Sequence, residues 1–168
     1  MSIKKFIPIA VMIVFALSLS CAFAKPSDEE VNVIFSSAES LFKAMKEKNY
    51  PAIWQSLTAK TKQSTIEAVY KSLQKDHVNL EKEKIGADFA DGGALAKAYW
   101  NSYLNAFDPD TVLEQSKWDV GAMKKDKAEI NILYKKSEKP AVLLLYMEGN
   151  VWKVGLEETF SPRNLLPY

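Results

Sequence analysis

The chain has 168 residues, 48% hydrophobic and 26% charged, with 22 basic against 21 acidic side chains, one cysteine and one histidine. A near-neutral balance gives no electrostatic case for nucleic acid or an anionic membrane, and a lone cysteine excludes a disulfide framework. Arg163 is the one arginine, which weakens any expectation of bidentate phosphate or carboxylate recognition.

The N-terminus reads as a secretory signal over residues 1–24. Lys4 and Lys5 carry the positive charge, and the run from Ile7 to Leu19 is apolar and uncharged, long enough to enter a membrane but short for a permanent span. Ala22-Phe23-Ala24 then presents small residues at the two positions a signal peptidase fits, which predicts cleavage between Ala24 and Lys25. Cys21 opens a second expectation, lipidation at that residue, which would anchor the protein to a membrane. The preceding Ser18, Leu19 and Ser20 do not have the large-then-small pattern of lipoprotein signals. Cleavage at Lys25 discards the only cysteine and leaves 144 residues with a formal charge of −1, one domain over residues 25–168, periplasmic or secreted.

Ser27 and Glu30 form a capping-box pattern, with Asp28 and Glu29 at the positive end of the dipole. Val31, Ile34, Phe35, Ala38, Leu41, Phe42 and Met45 recur at helical spacing, predicting a helix over 28–48 that Asn49 and Pro51 end. A short helical turn around Ala52-Ile53-Trp54 follows. Thr58 is the expected N-cap of a second long helix, marked by Ile66, Val69, Tyr70 and Leu73 and ending near Asp76. Residues 77–84 are charged and read as a loop, with an edge strand as the alternative. Asp91-Gly92-Gly93 is a break, and Leu95 to Phe107 is a helix apolar around most of its circumference, hence expected to be enclosed.

After Asp108-Pro109-Asp110 the period becomes alternating. Residues 112–120 are expected as a strand with Val112, Glu114, Ser116, Trp118 and Val120 on one face, and Ala128 to Tyr134 as a half-buried strand. Val142 to Met147 has the nearly continuous apolar character of an interior strand, and Gly149-Asn150 turns it into residues 151–156. The tail from Glu157 to Tyr168 reads as irregular. Helices first and a hairpin-linked antiparallel meander afterwards predict an α+β fold.

Lys46-Glu47-Lys48-Asn49-Tyr50 at the end of the first helix, then Ile53-Trp54 and Leu57-Thr58, resembles the opening of nuclear-transport-factor-2-like domains. A later helix with Tyr99-Trp100, then four strands with Trp152-Lys153-Val154 near the end, is similar to that superfamily over roughly residues 28–160. The resemblance implies a curved sheet wrapped on helices to enclose a cavity. It also implies an early hairpin, which residues 78–90 would have to supply. Members include isomerases, dehydratases, cyclases and noncatalytic binding or assembly domains, so the fold does not carry an activity. No catalytic motif of those enzymes matches this chain.

His77 stands alone and reads as a surface histidine, which leaves no imidazole metal set and no conventional nucleophile–histidine pair. Gly92-Gly93 lacks the flanking pattern of a phosphate loop, and no cofactor is expected. The candidate ligand-pocket residues are Tyr99, Trp100, Tyr103, Glu114, Trp118, Tyr134 and Trp152, with Tyr146 beside them. Their spacing also suits plain core filling. Three functions follow as expectations. The first is an exported noncatalytic domain that binds a small apolar ligand or a partner protein in a helix–sheet cavity. The second is an isomerase, dehydratase or cyclase using a carboxylate such as Glu114 with a tyrosine donor. It requires Glu114 buried on the inner face with Trp118, a solvent-facing Glu114 on an edge strand being the alternative placement. The third is a homodimeric assembly module using either Leu143, Leu145 and Met147 or the opposite face with Val142 and Leu144.

Overall fold

The computed structural model describes residues 27–160. The predicted signal segment, its cleavage point at Ala24 and Lys25, the candidate lipidation site Cys21 and residues 161–168 lie outside the described residues. Within them the fold is α+β. Seven helices and four strands follow in the order α1 (Asp28–Lys46), α2 (Tyr50–Ser56), α3 (Ala59–Lys75), α4 (Lys82–Asp91), α5 (Ala94–Ala106), α6 (Pro109–Leu113), β1 (Ser116–Met123), β2 (Lys127–Tyr134), β3 (Ala141–Glu148), β4 (Val151–Val154) and α7 (Leu156–Phe160). The strands form one antiparallel sheet in the order β1-β2-β3-β4.

Helix α1 starts on a complete capping box. The Ser27 hydroxyl accepts from Glu30 N, and the Glu30 carboxylate accepts from Ser27 N. Its stripe of Ile34, Ala38, Leu41, Phe42 and Met45 is buried across the inner face of the sheet. Asn49, expected to stop α1, also starts α2, because its side chain accepts from Ala52 N. Facing α1 from the sheet are Ala128 and Ile130 of β2, Leu143 and Leu145 of β3, and Trp152 and Val154 of β4, all buried. The alternation continues on the outer face, where Val142 and Leu133 are exposed.

The structure corrects the sequence reading in four places. Residues 82–91 form α4 rather than loop, edge strand or hairpin, because Ile85 and Phe89 stand one turn apart and are completely buried. Residues 109–113 form α6, so the first strand starts at Ser116 and not at Val112. Pro109 suits the first helical position, and the Asp108 carboxylate accepts from Asp110 N. The last strand stops at Val154, and residues 156–160 form α7 where extended or irregular chain was expected. Helix α5 is only half enclosed. Ala96 and Trp100 are buried, while Ala98 and Ala106 are exposed.

The break at residues 91–93 is built by two glycines with different roles. Gly92 ends α4 in the left-handed region at φ 68°. At Gly93 a Cβ would meet Asp88 Oδ2 at 2.1 Å, because that carboxylate reaches across to accept from Ala96 N at 2.9 Å. Asp88 thus orients the first turn of α5.

Helix α7 completes one side of the sheet. Strand β4 pairs with β3 only from Leu145 to Glu148. Beyond it, Leu144 N donates to Thr159 Oγ1 at 3.0 Å and Gly155 N donates to Leu144 O at 2.9 Å. Leu57 forms a parallel bridge with Val154, and Thr58 N donates to Val154 O.

Candidate ligand cavity

Helices α3 and α5 stand apart over the β2–β3 part of the sheet, and between them lies a cavity of about 540 Å³. Its size falls within the range of small-molecule sites. One wall is the α3 stripe Thr61, Ser64, Thr65 and Ala68, at spacings of three and four residues. The other wall is Tyr99, Trp100, Tyr103 and Phe107 of α5. Ile132, Ala141 and Leu143 form the sheet side, and Leu156, Glu157 and Phe160 of α7 form the rim on the remaining side. Phe160 is 48% exposed.

The α5 wall is a stack of rings in edge and tilted contact. Trp100 lies edge-on to Tyr99 at 5.1 Å and to Tyr103 at 5.6 Å, and Tyr103 leads on to Phe107 at 5.5 Å. Trp100 is 1% exposed, and its Nε1 has no hydrogen-bond partner among the described residues. Burial, and after it the neighbouring Tyr99, holds the Tyr103 phenol above its ordinary pKa, so it stays a neutral donor at physiological pH.

The opposite end of the cavity is polar and closed on itself. Thr61 Oγ1 donates to Glu158 Oε2 at 2.9 Å and accepts from Glu157 N at 3.1 Å. The Thr58 hydroxyl caps α3 by accepting from Thr61 N and donates to the same Glu158 carboxylate. Glu148 accepts from Ala59 N. Helix α3 has no acidic residue in its own first turn, and the carboxylates that suit its positive end come from β3 and α7.

Of the seven candidate residues, Tyr99, Trp100 and Tyr103 line this cavity, and the structure does not bring the other four to it. Trp118 packs edge-on against Phe35 and Phe42 and donates its indole N–H to Val112 O, a core placement. Trp152 is buried on β4 opposite Met147, and Tyr134 sits at the end of β2 opposite Ser116. Glu114 is the clearest correction. It is the C-cap of α6, its side chain is 62% exposed, and it pairs with Lys46 at 2.7 Å. Lys46 is in turn held above its ordinary pKa by hydrogen bonds to Asp110 first and Glu114 second. The carboxylate faces solvent because residues 109–113 wind into a helix that Glu114 caps, and the alternation assumed for a strand does not apply.

His77 is exposed in the left-handed region at φ 58°, just beyond α3. No group of three or more potential metal ligands occurs among the described residues. Leu143 and Leu145 face the core, which removes them as an outer dimer surface and leaves Val142 and Leu144 on the free face. Tyr146 shares that outer side with Lys127 and Glu129. Sequence reasoning missed the α3 wall. The available signal was the run Thr61, Ser64, Thr65 and Ala68, a helical stripe of small side chains that leaves volume opposite a stripe of rings. No helix among the described residues is long and apolar enough to cross a membrane. Comparison with protein-family models, with curated proteins and with solved structures finds no match for the chain in any of the three.

Proposed function

We propose that this protein is an exported, noncatalytic domain that holds a small, mostly apolar molecule between α3 and α5. The observation that carries the reading is the cavity of about 540 Å³ bounded by the aromatic wall of α5, the small-residue wall of α3 and the apolar sheet face. Apolar surface of this kind gains free energy when a ligand displaces water from it. The nuclear-transport-factor-2-like resemblance supports the same reading through its helix-covered cavity, although α4 stands where that plan has a hairpin. The catalytic alternative required Glu114 inside the cavity with a tyrosine, and Glu114 pairs with Lys46 outside it.

The test uses N-phenyl-1-naphthylamine, an uncharged dye that fluoresces in apolar surroundings, and a variant that fills the space. Ala68 lines the cavity but is exposed, so Ala68→Phe adds bulk without disturbing packed core. Wild type is expected to bind the dye with saturable enhancement, and Ala68→Phe to lose that binding while unfolding at a similar temperature. Absence of binding in wild type, or equal binding in both proteins, would refute the reading. Export is tested separately by mass spectrometry of the secreted or periplasmic fraction. An N-terminus at Lys25 is expected, an intact 168-residue chain speaks against cleavage, and a mass increase on Cys21 would mark lipidation.

A further inference from the structure

We infer that the ligand of this cavity is not a pure hydrocarbon but an apolar molecule bearing a hydrogen-bond acceptor oxygen, a ketone, ester or ether, which Trp100 Nε1–H engages. The inference rests on the cavity reading above and deepens it. Trp100 lines the cavity and is 1% exposed, yet its indole N–H has no partner among the described residues. Trp118, a part-buried indole packed against Phe35 and Phe42, shows the usual arrangement, donating to Val112 O at 3.0 Å. A buried donor left unmade destabilises the protein, and an acceptor delivered on an apolar body removes that cost.

The surrounding groups narrow the choice. Thr61 Oγ1 already donates to Glu158 and accepts from Glu157 N, and Thr65 Oγ1 donates to Thr61 O. Two of the three α3 wall hydroxyls are thus engaged within the protein, and only that of Ser64 has no bond among the described residues. Among the described residues no lysine or arginine lines the cavity, and Glu157 is the one charged residue there, which disfavours a carboxylate or phosphate ligand. A neutral acceptor matches the α5 wall. Because the Trp100 N–H is shielded from water, water does not compete for it, and seating the acceptor requires a side-chain shift at the cavity wall.

The experiment compares two probes of one shape, 2-acetylnaphthalene and 2-isopropenylnaphthalene, in which a carbonyl oxygen replaces a methylene group. With ¹⁵N-labelled wild type, the ketone is expected to move the Trp100 indole resonance downfield and the alkene to leave that hydrogen-bond shift absent. After correction for partitioning out of water, the ketone is expected to bind about tenfold more tightly, and Trp100→Phe to bring the ratio near one. An indole resonance indifferent to the ketone means the N–H is satisfied otherwise, for example against a ring face, and overturns the inference. So does a ratio that survives Trp100→Phe. If that variant fails to fold, the wild-type resonance decides alone. Equal binding of both probes, or binding of the dye but neither probe, defeats this inference and spares the cavity reading. Failure of the dye and both probes defeats the cavity reading itself.

Discussion

The two ends of the cavity are both buried and both carry polar atoms, but they treat those atoms in opposite ways. At the α3 end the Thr58 and Thr61 hydroxyls, the Glu158 carboxylate and the Glu157 amide form a connected set of hydrogen bonds. At the α5 end the Trp100 N–H has no partner among the described residues, and its ring lies edge-on to Tyr99 and Tyr103. The first arrangement fixes α7 to α3 and specifies geometry. The second leaves hydrogen-bonding capacity open, and that is where a ligand's polar atom has something to gain.

This contrast can be broken by substitution. Glu158→Ala leaves two buried hydroxyls without their acceptor, and should cost about 2–3 kcal/mol in urea denaturation, with Glu158→Gln costing less. A loss below experimental error would mean that the α3 end is not the tie described. Gly93→Ala should cost about 1–2 kcal/mol, since the new Cβ displaces the Asp88 carboxylate from Ala96 N. It should also disturb dye binding, because Asp88 sets the start of the α5 wall. Trp100→Phe is expected to cost about 1 kcal/mol, through lost ring volume at a buried site and not through a lost hydrogen bond, because the N–H it removes has no partner among the described residues. An equal loss in Glu158→Ala and Trp100→Phe would erase the distinction between the two ends.

Smaller effects sharpen it. Above pH 10 the unfolded chain releases the Tyr103 phenolic proton while the folded chain keeps it, because burial raises that pKa in the folded state. The unfolded state then binds fewer protons, so the contribution of Tyr103 is fully present below pH 10 and is lost as pH rises through the raised value. Absorbance at 295 nm should show a late-ionising phenol that disappears in Tyr103→Phe, and its persistence would contradict the burial described. Glu114→Gln should alter neither dye binding nor the denaturation midpoint measurably, because an exposed ion pair contributes little and Lys46 retains Asp110.

The legible parts of this fold were those where side-chain pattern and capping chemistry agreed. Ser27 with Glu30, and Thr58, each mark a helix start by a hydroxyl in the right place, and the structure uses both, while Asn49, expected only to stop α1, also starts α2. Gly149 and Asn150 both have positive φ, as a two-residue hairpin requires. Helix α4 was hidden because its buried face comprises only Ile85 and Phe89 among charged neighbours, too few for a period to show. Helix α6 was hidden because five residues barely exceed one turn, and alternation read across 112–120 absorbed Val112 and Glu114 into a strand. The aromatic wall of α5 was readable as a stripe, but the opposing wall was not. Threonine, serine and alanine give no burial signal, and the pairing of Thr61 with Glu158 spans 97 residues of sequence.

The junction of β3 with α7 has a consequence for how the molecule meets other chains. A sheet edge is a template wherever N–H and C=O groups point outward in register. On the far side of β3 the outward amide of Leu144 is taken by a threonine hydroxyl and its carbonyl by Gly155 N, from a helical turn that cannot propagate the ladder. An incoming strand from another molecule therefore finds no continuous row of free groups there. Thr159 and Gly155 act as a chain terminator for β-sheet growth beside a strand whose run Val142-Leu143-Leu144-Leu145-Tyr146 is apolar, uncharged and free of proline, the composition that pairs readily with other chains when its edge is open.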